Sequence, residues 1–470
     1  MLFLAAAFFV GSQQCHGCHA GIAEAYARTA MARSSGPAAS VPAGEFTASG
    51  QHYRVTGNRL VFERGSARFD YFIGSGTHGH SYLFEREGYL FELPVTWYAR
   101  TGTWDASPGY EKYREPRLDR PVDTTCLWCH ASQVRFVRGT QNRYADPPFA
   151  DNGVGCERCH GPGSEHVRNP AVARMVNPAR LEPDRRDSVC AQCHLTGVSR
   201  VTRAGRAFED FRAGDRLADY ATYFVRDGGG PDLKVTSHVE RLAASGCKRA
   251  AGDALWCGTC HDPHTGANRT QAACLSCHAQ AHHSDESCAG CHMPKSAAID
   301  AGHGVFTDHS IPRDASRSHA KAGPGRLVAF LGTTDDRALG IAYAEMGDSR
   351  ALEFLRKAQP VDNQVRLRLA GLERDPTRAA ELYSAVLTSD PANTTALVNL
   401  GAIYGAAGRT TDAAALWKRA LDTNPALEGA ALNLSRVLPR TGARAVLERY
   451  LSFNPGSAAV RERLEALGHP

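Results

Sequence analysis

Cys156-Glu157-Arg158-Cys159-His160 is one of seven pentapeptides of the form Cys-x-x-Cys-His in this chain. The others are Cys15/Cys18/His19, Cys126/Cys129/His130, Cys190/Cys193/His194, Cys257/Cys260/His261, Cys274/Cys277/His278 and Cys288/Cys291/His292, and together they use fourteen of the fifteen cysteines. The spacing has a chemical reason. Two thiols three residues apart reach both vinyl groups of one porphyrin, and the next histidine then lies under the iron as its proximal ligand. A zinc site or a thioredoxin-type dithiol does not require a histidine directly after the second cysteine every time. The set therefore predicts seven covalently attached c-type haems. Thioether formation leaves Cys247 as the single free thiol, read either as a buried structural thiol or as a sulfur ligand or redox group.

Outward from the motifs, the 470 residues suit two or three domains. Hydrophobic residues make up 43 % of the chain, and the formal charge of +5 comes from 54 basic against 49 acidic residues. Scattered charge of this kind gives no reason to expect a nucleic-acid partner. Attachment of c-type haem takes place outside the cytoplasm. Residues 1–11, beginning Met1-Leu2-Phe3-Leu4-Ala5-Ala6-Ala7, read as a residual signal-peptide-like segment without a basic n-region. No later stretch is apolar enough to span a bilayer.

Residues 12–320 form the expected haem domain, built of short helices and loops. Within it, residues about 40–120 carry no haem motif and alternate apolar with polar residues, as in Phe69-Asp70-Tyr71-Phe72-Ile73 and Tyr89-Leu90-Phe91-Glu92-Leu93. With Gly57-Asn58 and Glu87-Gly88 as turns, this predicts a small antiparallel β insertion of hairpins. Beyond residue 320 cysteine disappears and a repeat emerges: Pro391, Pro425 and Pro455 recur 34 and then 30 residues apart. Leu400-Gly401, Tyr404, Gly408, Ala413, Trp417, Ala420 and Pro425 fit the tetratricopeptide pattern. Residues 321–470 are thus expected to form an all-α tetratricopeptide-repeat solenoid, serving either as a stabilising cap or as a docking face for a partner.

Seven irons need ligands on their far side. Thirteen histidines lie outside the motifs. His264 is too near His261 to cross over its own haem and is expected to cap a neighbouring iron, and the same holds for His166 after His160. His303 and His309 flank Val305-Phe306-Thr307-Asp308; His78 sits in a glycine-rich turn; His238 opens a helix-like stretch; His283, beside His282, completes the set. His80 is a reserve, and His16, His52, His319 and His469 carry no assigned role. Met31, twelve residues beyond His19 on an expected helix from Ile22, competes as a sulfur ligand.

Several strings together resemble the bacterial multihaem cytochromes c with C-terminal tetratricopeptide repeats. They include Thr29-Ala30-Met31-Ala32-Arg33-Ser34, Gly74-Ser75-Gly76-Thr77-His78, Gly155 through Gly163, Cys260-His261-Asp262-Pro263-His264 and Val305-Phe306-Thr307-Asp308-His309. That group is related to the tetrahaem cytochrome that accepts electrons from hydroxylamine oxidoreductase. The resemblance implies a periplasmic protein with closely packed haem pairs, and distal ligation by His78, His166, His238, His264, His303 and His309. It implies electron transfer between redox partner proteins, with no catalytic residue assigned. The alternative is an oxidoreductase acting on a small nitrogen or sulfur compound at one open haem. All seven motifs end in histidine, whereas the related pentahaem nitrite reductases commonly mark their catalytic haem with Cys-x-x-Cys-Lys.

Overall fold

Tight turns fold residues 35–121 into two antiparallel sheets. At Ser49-Gly50 and Glu87-Gly88 both turn residues take positive φ (50° and 78°, 56° and 83°), the geometry whose twist matches that of the flanking strands. Gly44–Ala48, Gln51–Thr56, Arg59–Phe62 and Gly65–Arg68 form a four-stranded meander. The second sheet runs Ser35–Pro37, Tyr71–Ile73, His80–Arg86, Tyr89–Tyr98 and Arg120–Pro121, with Thr103–Ala106 also paired to Tyr89–Tyr98. Along Gln51–Thr56, Tyr53 and Val55 are buried while Arg54 points to solvent, the period-two pattern of a half-buried strand. Leu60, Phe69, Phe91, Leu93 and Val95 are completely buried in the core between the sheets. The computed structural model describes residues 7–227, 232–278, 287–301, 303–314 and 325–468.

Leu83 and Leu90 of the second sheet pack with Val122, Leu127, Tyr144 and Phe149, seating the helix Thr124–His130 that carries the second motif. Asp123 caps that helix by accepting from Thr125 N and Cys126 N. The remaining motifs sit on comparably short segments. These include Glu157–His160, Pro183–His194, Cys257–Cys260, Thr270–Cys277 and Cys288–His292. One helical turn places residues three apart on one face, so both cysteines of a motif point the same way.

Three features depart from the sequence reading. The helix expected from Ile22 to Met31 stops at Tyr26, and Thr29 Oγ1 accepts from Ala32 N in the turns that follow. A hairpin of Ser132–Phe136 and Tyr144–Asp151 forms despite Pro147-Pro148, because a register shift between Val134 and Phe136 leaves the prolines out of the ladder. A three-stranded sheet of Ser199–Thr202, Ala221–Arg226 and Leu327–Leu331 joins the haem region to the helices that follow.

Nine helices among the described residues, from Asp336–Glu345 to Ala458–Ala466, make up the C-terminal part. Each packs mainly on its neighbours in sequence. Gly401 admits the Trp417 indole, whose Nε1 donates to Val398 O at 3.2 Å; a Cβ there would stand 2.5 Å from the ring nitrogen. Both ends of the array are fastened to the rest of the protein. Arg337 donates to Asp362 Oδ2 at 2.9 and 2.6 Å and to Thr202 O at 3.0 Å. The Asn-Pro segments that mark the repeat in the sequence do the same work at the far end. Asn454 Oδ1 accepts from Leu118 N at 3.2 Å, Asn424 Nδ2 donates to Gln141 Oε1 at 2.9 Å, and Phe453 joins the sheet core beside Phe91.

Candidate metal centre

All seven motif histidines and thirteen of the fourteen motif cysteines line one cavity of about 3320 Å³; Cys126 alone is outside its wall. Met31, His78, His166, His238, His264, His309 and Cys247 line it too. His303 does not. It sits at φ 54°, its Nε2 2.5 Å from Asp105 Oδ2, with its ring against Tyr98. His283 lies outside the described residues. His80, the reserve, lies on the other side of its loop and packs on Phe72.

The imidazoles form recognisable pairs. A metal–imidazole bond of about 2.0 Å, with about 1.1 Å more to the ring centre, puts two axial imidazoles about 6 Å apart, centre to centre. His19 and His166 are 6.4 Å apart with planes 17° from parallel, and His160 and His264 are 5.8 Å apart at 13°. His261 and His309 are 6.2 Å apart at 34°. In each pair one histidine belongs to a motif and the other comes from the distal set. His194 and His238 meet differently, through Nδ1 atoms 3.2 Å apart and rings at 65°, a direct contact too close for an ion between those nitrogens.

The outer contacts of these rings select which nitrogen faces the cavity. Nδ1 lies against a backbone carbonyl in four of them: His160 on Val176 at 2.7 Å, His166 on Ala173 at 2.7 Å, His292 on Pro312 at 3.0 Å and His309 on Thr307 at 3.0 Å. An Nδ1–H donated to a carbonyl leaves Nε2 as the basic nitrogen, as metal-binding histidines require. Burial lowers the pKa of His78, His130, His160, His261 and His309. It also brings His194 down to about 4, with His309 the next cause, and His238 to about 2, with His194 next. Neutral imidazole is the ligating form. His130 is half-buried, but its Nδ1 atom is buried and has no hydrogen-bond partner.

The sulfurs also meet across motifs. Sulfurs of different motifs lie close enough to perturb one another: Cys15 and Cys156, Cys129 and Cys193, Cys190 and Cys257, and Cys274 and Cys288. In every case the partner belongs to another motif, which is not the arrangement of a redox dithiol. Burial pushes the Cys15 thiol up to about 12 and Cys159 up to about 11. Arg158 stands among motifs two to four, its guanidinium 3.8 Å above the Trp128 ring and its Nε without a partner. A half-buried guanidinium with a buried, open Nε–H fits a carboxylate such as a haem propionate. Paired neutral imidazoles, thiols aligned on short helices and this arginine all fit haem c. The carbonyl partners Val176, Ala173, Pro312 and Thr307 left no trace in the sequence, because any residue type presents a backbone oxygen.

Three further side chains set the positions of candidate ligands. Glu157 is buried and accepts from Val10 N, Gly11 N and Gly163 N at 2.9, 2.8 and 2.7 Å, pinning the segment before Cys15 onto the third motif. Arg241 and Asp308 form a buried ion pair, side chains 4 % and 1 % exposed, that locks the helix of His238 to the strand before His309.

Residues 101–161 match the family described as cytochrome c554 and c-prime, a stretch that holds the second and third motifs. The chain is similar to the multiheme cytochrome MtrA of Shewanella baltica, 23 % identical over 190 residues that cover 35 % of this chain; it spans 56 % of that protein's length. Among solved structures, the outer cell wall cytochrome OcwA aligns over 91 % of this chain and 99 % of its own at 15 % identity, with a TM-score of 0.45. A MamA variant aligns over 28 % of this chain and 83 % of its own at 22 % identity, with a TM-score of 0.25. The sequence matches support a multihaem cytochrome c. No helix among the described residues is long and apolar enough to cross a membrane.

Proposed function

We propose that this chain conducts single electrons between redox partner proteins through seven covalently attached c-type haems, in the periplasm or another extracytoplasmic compartment. The observation that carries the reading is the convergence of all seven motifs on one cavity wall. When bound, the haems supply reversible one-electron chemistry. The protein's part is attachment, axial ligation and spacing.

The sulfur contacts support an order. A thioether anchors a porphyrin edge, so touching cysteines bring two such edges together. The four close sulfur pairs put motif one beside three, two beside four, four beside five, and six beside seven. Electrostatic proximity of Cys159 to Cys193, and of Cys260 to Cys274, adds three to four and five to six. The result is a continuous line through motifs one, three, four, five, six and seven, with motif two branching at four. Axial roles would go to His166 for His19, His264 for His160 and His309 for His261; His78, His238, His283 and Met31 are left for the remaining irons, while His303, off the cavity wall and bonded to Asp105, is the weakest candidate. Met31 O and His130 O both accept from Ser34 Oγ, at 2.8 and 2.9 Å, which favours the second motif for Met31. Cys247 stands near Cys260 and Cys274, a free thiol beside the line.

We read the C-terminal helices as tetratricopeptide-type repeats that present a partner-docking surface, supported by the Gly401–Trp417 packing and the repeat spacing. A second functional reading rests on His130. No imidazole among the described residues makes a ring contact with it, as is also true of His278 and His292; if Met31 does not fill the far side of its iron, that iron would be the place for chemistry on a small nitrogen or sulfur compound. The electron paramagnetic resonance spectrum of the oxidised holoprotein decides between them. Wholly low-spin iron is expected for the conductor; about one equivalent of high-spin iron that responds to nitrite or hydroxylamine would overturn it.

A further inference from the structure

A second cavity lies across the glycine-rich loop from the first. It measures about 680 Å³, and its polar lining comes from Arg33, Ser35, Ser75, Thr77, His80 and Asn152. The loop Gly74–His80 is a partition: His78 lines the large cavity, Thr77 and His80 the small one, and Ser75 both. It is thin because Gly74 and Gly76 hold φ of 104° and 76°, and a Cβ on Gly76 would stand 2.8 Å from His80 Nε2. Arg33, Thr77 and Asn152 are exposed, so the cleft opens to solvent.

Its chemistry is one-sided. No aspartate or glutamate lines it. Ser35 Oγ accepts from Gly153 N at 2.9 Å and Ser75 Oγ accepts from Thr77 N at 3.3 Å, so both hydroxyl protons are left to donate. Among the described residues, no side-chain hydrogen bond or ion pair engages Arg33, Thr77, His80 or Asn152. His80 is held instead by ring contact with Phe72, 4.3 Å between centres. A guanidinium and a ring of neutral donors without any carboxylate match an oxyanion, whose oxygens accept from all sides. A cation would find no counter-charge here.

We propose that this cleft binds a small inorganic oxyanion from solution, of the phosphate, sulfate or nitrite class. Bound there, its negative charge lies one loop away from His78. Through that loop the anion favours the oxidised state of the iron His78 serves, and oxidation in turn tightens the anion, since coupling is reciprocal. The coupling rests on the reading of His78 as an iron ligand; the binding does not.

The test is calorimetric titration of the holoprotein with phosphate, sulfate and nitrite, each in an otherwise anion-poor buffer, repeated on Arg33→Gln and Thr77→Val. Haem absorption and melting temperature establish that each variant is folded. One saturable site is expected, weakened at least tenfold by Arg33→Gln and less by Thr77→Val. Absence of binding, or binding indifferent to Arg33, overturns the proposal. So does a shifted haem potential in Arg33→Gln without any anion binding, which would assign these donors to a haem propionate. Binding that leaves every haem potential unmoved would uphold the site and remove His78 from the ligand set.

Discussion

Made without haem attachment, the chain is expected to lose the fold of the motif-bearing segments within residues 12–314, while the β insertion, whose core holds no motif residue, and most of the C-terminal helices are kept. The cavity that the motifs line measures about 3320 Å³. If only a tenth of it stayed empty, the loss at about 24 cal/mol per Å³ would be about 8 kcal/mol. That equals the entire stability of an ordinary domain, about 5–15 kcal/mol. The short helices around it bury too few of their own apolar side chains to offset such a loss. By contrast, the helices from Pro376 onward share a core of Tyr383, Val386, Leu397, Leu400, Leu416, Trp417 and Leu434 that contains no motif residue. Circular dichroism and limited proteolysis of the haem-free chain check this. Expected are a reduced helical signal, cleavage within the motif-bearing segments and resistance of the helices beyond about residue 325; a single cooperative melt like that of the holoprotein would refute it.

Asp308→Ala is expected to destabilise the holoprotein by about 3–5 kcal/mol, because it strips a buried guanidinium of its carboxylate. Asp308 accepts from Arg241 Nε at 2.9 Å and from Ser310 N at 2.8 Å, and its own N–H donates to Pro294 O at 2.9 Å. These bonds set the strand whose next residue is His309, between His238 and His261. The variant should therefore lose stability in chemical denaturation and also alter the low-spin signal of one iron. Asp308→Asn keeps the shape and one acceptor, so its loss should be smaller. Equal stability of the alanine variant and the parent would contradict the role given to this pair.

What the sequence disclosed and what it hid divide along a physical line. The haem motifs were legible because the chemistry demands fixed residue types at fixed spacing. The hairpins were legible from Gly57-Asn58 and Glu87-Gly88, where backbone sterics select the residue. The C-terminal helices were legible from Gly401 and Trp417, a small residue facing a large one. Pairing between distant motifs was not, since Cys15 meets Cys156 and His160 meets His264 only after the chain has folded back on itself. The helix through Met31 was overread: apolar periodicity ran past the point where Thr29 diverts the backbone. Nor did composition foretell that Asn454 and Asn424, read only as repeat ends, would seat the helices on the β insertion and on the loop at Gln141.

The central claim is that seven motifs hold seven haems, and it is tested most directly by counting both partners in one purified sample. Iron and covalently bound porphyrin per chain are measured together with reactive thiols after denaturation. The account predicts seven irons, seven porphyrins resistant to acid extraction and a single titratable thiol, that of Cys247. Fewer porphyrins, with two additional thiols or a disulfide for each one missing, would contradict it.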